Sequence, residues 1–195
     1  AGSLAYHLVL AFSILAAILG VLNPWRAASS LPIEPDTRRT LFGLGALLAL
    51  RLLLFFAASL AWQQAVNGAR LLPALERSVD LLSLLLLAWL WISPSAGRLA
   101  DWAYASLAIF LILGTAFSIS SGFGLAAEQA FNRSTLDTYV QGLGLAMAFS
   151  SALLLLARRP PAWPTGFGMF LLLGAGHLLH LLIPISGDYP GSVRL

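Results

Sequence analysis

Seven ionisable residues stand within or at the edge of otherwise apolar runs: Arg51, the group Glu76, Arg77 and Asp80, and the histidines His7, His177 and His180. A charged group at membrane depth costs about 2.5 to 3.5 kcal/mol on insertion scales, so each asks for a partner or a task. Glu76, Arg77 and Asp80 lie one, three and four positions apart, which on a helix sets the two acids on one face with the guanidinium beside them. Ser83 extends that stripe inward. This pattern suits a self-neutralising cluster near an interface, and equally a ligand or proton site facing other helices.

Arg51 shares its run with no acid, and its neighbours one turn away are Leu47, Leu54 and Phe55. At about 1.5 Å per residue it lies roughly 15 Å into its helix. Asp80 or Glu76 is the expected partner from another helix, with backbone carbonyls or the interface as the alternative. His177 and His180 are one turn apart, and His7 opens the first apolar run. Three imidazoles at similar depth could hold a metal or haem, but interhelical hydrogen bonding is the commoner role, and no His-Glu-x-x-His spacing is present. No cofactor is therefore expected, and no catalytic motif is recognisable, so the chain reads as non-enzymatic.

The elements that position these groups follow from composition. Of 195 residues 59% are hydrophobic and 10% charged, where soluble domains carry roughly a quarter charged. Too little polar surface remains to cover a core in water, and lipid must do so. The fold class is thus all-α, a polytopic transmembrane helix bundle. Cysteine is absent, which excludes disulfides, thiolate metal sites and a cysteine nucleophile. Lysine is absent too, so a retinal-type Schiff base has no attachment point. The arginines are scattered through short loops and form no nucleic-acid-binding stripe.

Six spans emerge, at about 4–22, 40–62, 73–92, 101–119, 138–157 and 166–183, forming one transmembrane domain. The first is expected to stop at Asn23-Pro24-Trp25-Arg26, the second to be capped by Asp36 or Thr37, and the third to open at Pro73 and close at Ser93-Pro94-Ser95. Trp102 and Tyr104 suit an interface. Between helices four and five, Ser120 to Asp137 reads as a polar connection, and Gly144, Ala148 and Ala152 on helix five form a small-residue surface. That surface serves packing within the bundle, or a dimer contact.

Alternate loops carry six arginines against four, which favours an N-terminus outside the cytoplasm. The same count puts the final segment outside. With no initiator Met, this makes a longer native chain, with a seventh helix, the expectation.

Tyr6-His7-Leu8-Val9, Leu72-Pro73-Ala74-Leu75-Glu76-Arg77, Gly176-His177-Leu178-Leu179 and Tyr189-Pro190-Gly191-Ser192-Val193-Arg194-Leu195 resemble the N-terminal membrane region of bacterial sensor histidine kinases. The likeness is to the multi-helix, Chloroflexi-type kinases with GAF or PAS domains. The resemblance implies a membrane sensor or receptor of a two-component system, a homodimer that passes a signal to cytoplasmic GAF or PAS and kinase domains for phosphorelay. Those domains are not in this sequence. The competing readings are a small transporter or channel, with Arg51 and the acidic cluster as pathway groups, and an accessory subunit of a membrane complex. Against a transporter, no span has paired Gly and Pro at its middle.

Overall fold

A computed structural model describes residues 2–27, 34–121 and 134–183. Among them the chain is all-helical, with six helices and no strand: α1 (Gly2–Ala27), α2 (Pro35–Trp62), α3 (Gly68–Ala96), α4 (Arg98–Ser121), α5 (Thr135–Arg158) and α6 (Trp163–Leu182). Five of them, α1, α2, α4, α5 and α6, are long and apolar enough to cross a membrane. The architecture is that of a multi-pass membrane protein.

The helices exceed their expected bounds at Pro24, Pro73 and Pro94, whereas α5 and α6 end before Pro160 and Pro184 as expected. α1 runs through Pro24 to Ala27, and α3 starts five residues before Pro73 and continues two past Pro94. Proline removes one backbone donor, and within a turn or two of a helix end that forfeits a single intrahelical bond, which the rest of the helix tolerates. Gly97, at φ +74°, ends α3 and leads directly into α4. α2 opens on Pro35 at its first turn, with Glu34 as N-cap and no side-chain cap, so neither Asp36 nor Thr37 caps it; Asp36 lies in the first turn, where a negative charge favours the helix dipole.

Two compact units divide the chain, residues 1–68 and 69–195. In the first, α1 and α2 pack against each other. In the second, α5 and α6 form the closest helix pair, joined by a four-residue turn in which Arg159 and Ala162 both take left-handed backbone conformations. The stripe of buried small and apolar residues comprises Gly144, Ala148, Ala152 and Leu155 on α5 and Gly166, Phe170 and Gly174 on α6, and the buried His177 continues it. Small residues let the two backbones approach, which is how helices associate where lipid removes the hydrophobic drive between them. The small-residue surface of helix five is thus used within the chain. α3 adds Leu84, Ala88 and Ile92 to this core.

α3 is the most buried helix, its first half included: Glu76 and Arg77 are 6% and 5% exposed. These two charges are therefore sheltered by protein, the condition under which intramembrane ionisable groups persist.

Candidate functional site

The polar end of the second unit is built where α5 begins. Ser134 caps that helix, its Oγ accepting the backbone N–H of Asp137 at 3.1 Å. This Ser-x-x-Asp arrangement starts the helix three residues earlier than the expected bound at 138, and it turns Asp137 from a connecting residue into part of the first turn. Asp137 and Gln141 then lie one turn apart on the buried stripe that continues through Gly144.

Asp137 is 1% exposed, and both of its carboxylate oxygens are engaged. Arg77 of α3 donates from Nε to Oδ1 at 2.5 Å, and His180 of α6 meets Oδ2 through Nε2 at 2.9 Å. Gln141 adds a longer contact from Nε2 to Oδ1 at 3.4 Å. A carboxylate only accepts, so the His180 tautomer that satisfies the pair carries its proton on Nε2. The same reasoning orients the next link. With its amide nitrogen turned to Asp137, Gln141 presents Oε1 to His177 Nδ1 at 2.6 Å, so Nδ1 is the donor. The chain of bonds runs His177 to Gln141 to Asp137, with Arg77 and His180 closing on the same carboxylate.

Backbone space fits this network. A Cβ on Gly144 would come within 2.5 to 2.8 Å of three His177 ring atoms. Glycine is thus what lets the imidazole lie flat against α5 at that point. One residue beyond Arg77, Thr115 Oγ1 of α4 lies 2.5 Å from Ser78 Oγ, tying that helix to the same region. Farther along, Trp89 Nε1 donates to Asp101 Oδ1 at 2.8 Å, a clasp at the α3–α4 turn.

Of the seven residues singled out from sequence, the structure brings Arg77, His177 and His180 into one network, joined by Asp137 and Gln141, which sequence reasoning had not assigned to the site. Glu76 is buried and Asp80 half-buried on α3, both with interaction partners. Arg51 and His7 are buried in the first unit, where the His7 ring stands edge-on to Tyr6 with centroids 5.5 Å apart. Arg51 therefore belongs to one unit and its expected partners, Asp80 and Glu76, to the other. No group of three His, Cys, Asp or Glu side chains is arranged to hold a metal among the described residues. The C-terminal segment of the family resemblance, Tyr189 to Leu195, lies outside the described residues.

The arrangement is a buried anion held by a fixed cation and an imidazole from two other helices. It ties α3, α5 and α6 at one end. A polytopic helical membrane protein with a buried ionic centre is the class that fold and site define. No protein-family model, curated protein or solved structure matches the chain.

Proposed function

We propose that the chain is a membrane-embedded sensory domain, with the Arg77–Asp137–His180 network as the element that its signal acts on. The observation that carries this reading is the Asp137 carboxylate, 1% exposed and shared by side chains from two other helices. If the three helices needed only to adhere, apolar packing of the kind seen around Phe170 would suffice, because replacing buried ion pairs by apolar groups is often neutral or stabilising. Charges kept at such a cost are most useful where the packing must have two states, and an ion network shared by three helices offers that. A change in its hydrogen bonding shifts all three helix ends together.

In this reading the receptor adopts an outside N-terminus in a bacterial inner membrane, works as a homodimer, and hands its signal to cytoplasmic GAF or PAS and histidine-kinase domains, as the family resemblance implies. The chain itself performs no chemistry on a substrate. The test is the coding sequence that follows the Leu195 codon in the native gene. A further apolar helix, then GAF or PAS and kinase modules, is the expected result, and a stop codon at that point contradicts the reading.

A further inference from the structure

Arg77 faces two ways. Besides bonding Asp137 it forms part of the wall of a cleft between α3, α4 and α5, about 190 Å³ in volume. The floor and sides are apolar, with Leu81, Leu111, Leu136 and Val140 among them. At the rim Phe110 and Tyr139 are 69% and 73% exposed, so the cleft opens outward from the helices, toward lipid in a bilayer. The polar residues among its lining are Arg77, bonded to Asp137, Ser78 and Thr115, bonded to each other, and Ser118 and Tyr139. None of its thirteen lining residues is acidic.

Three properties define an occupant. The volume falls below the roughly 300–1,000 Å³ of sites for drug-sized ring systems, which favours one slender chain. The apolar lining and the lipid-side opening favour a hydrocarbon that arrives through the bilayer. The sole charge is positive and every other polar group is a hydroxyl, so the head group that complements it is an anion, and a planar guanidinium matches a carboxylate in geometry.

From this cleft we infer a binding site for a single-chain carboxylate amphiphile of the fatty-acid class, its chain along Leu81, Leu111 and Val140 and its carboxylate on Arg77. A second anion at Arg77 competes with Asp137 for the same guanidinium. Ligand binding thereby loosens the bond between α3 and α5 and leaves Asp137 to His180. The binding step stands on the cleft and on Arg77 alone, whereas its use as a signal rests on the sensory reading above.

Gly114 lines the cleft, and a Cβ placed there meets nothing within 4 Å, so Gly114→Leu fills the cleft from the α4 side with no clash at its first carbon. The experiment uses the full chain in phosphatidylcholine nanodiscs, a dodecanoate carrying a terminal diazirine, and peptide mapping of the photo-adducts. Saturable adducts on the α3, α4 and α5 residues of the cleft are expected. Unlabelled dodecanoate should compete, and dodecanol should compete about tenfold more weakly, the scale of one charge-assisted hydrogen bond. Labelling should fall in Gly114→Leu, while the variant keeps the thermal unfolding temperature of the parent.

Equal competition by the alcohol overturns the assignment of Arg77. Competition by added anionic diacyl phospholipid as strong as by dodecanoate assigns the cleft to membrane lipid and overturns the single-chain class, and labelling that survives Gly114→Leu overturns the site. Spin labels on cysteines introduced into α3 and α6 separate the two claims. Adducts without any change in α3–α6 spacing on adding dodecanoate keep the binding site and contradict the sensory role of this ligand.

Discussion

The carboxylate of Asp137 stands 2.5 Å from Arg77 Nε and 2.9 Å from His180 Nε2, one oxygen to each, so a single side chain at the start of α5 holds both α3 and α6. Removing that charge leaves the Arg77 guanidinium buried without its counter-ion. Breaking a buried pair from one side costs about 3–5 kcal/mol. Asp137→Asn, which keeps the shape and loses the charge, should therefore lower unfolding stability in detergent by an amount of that order. A stability equal to that of the parent would show that the anion is not what the guanidinium requires.

The His177 ring occupies the place where a side chain on Gly144 would begin. Gly144→Ala should cost about 1–3 kcal/mol through overpacking. The cost should largely vanish in a His177→Ala background, because the obstructing ring is gone. The readout is the unfolding free energy of the four proteins in that cycle. Equal cost in both backgrounds would mean that the strain arises elsewhere.

Two glycines of α6, two residues apart, should behave oppositely. A Cβ at Gly166 meets the Trp91 ring at 2.8 Å and Leu155 Cδ1 at 2.9 Å, whereas one at Gly168 meets nothing within 4 Å. Gly166→Ala is expected to destabilise by about 1–3 kcal/mol. Gly168→Ala should be neutral or stabilising by up to about 1 kcal/mol, since alanine is the better helix former. Thermal unfolding followed by circular dichroism distinguishes the two.

The cap that sets the register of α5 can be tested separately. Ser134→Ala deletes the acceptor of the Asp137 N–H, and a lost N-cap of this type costs about 1 kcal/mol. Ser134→Asp keeps an acceptor oxygen and should retain most of the stability. If alanine and aspartate were equivalent, the side-chain cap would carry no energy in this protein.

Much of this architecture was legible from sequence because a bilayer imposes a simple length and polarity rule, and the six apolar runs map onto α1 to α6. The errors lie at the ends. Pro24, Pro73 and Pro94 were read as boundaries, yet each falls close enough to a helix terminus to forfeit only one bond. Asp137 escapes a sequence reading because the polar stretch from Ser120 runs up to it. The available signal was Ser134 three residues before it, followed by the stripe Asp137, Gln141 and Gly144 at helical spacing. Arg77, His177 and His180 were legible as costly residues from their types alone. Their shared partner was not, because the pairing joins positions 60 and 43 residues apart, and local periodicity carries no information about which helices meet.

The most direct test of the ionic centre is a double-mutant cycle between Arg77 and Asp137, using Arg77→Met and Asp137→Leu and unfolding in mixed micelles. Each single change should be strongly destabilising, and the double variant should be more stable than the sum of the two losses predicts by about 1 kcal/mol or more, because it leaves neither charge buried alone. Strictly additive losses would contradict the account, since they would mean that the guanidinium and the carboxylate contribute independently and that Asp137 does not hold α3 to α5.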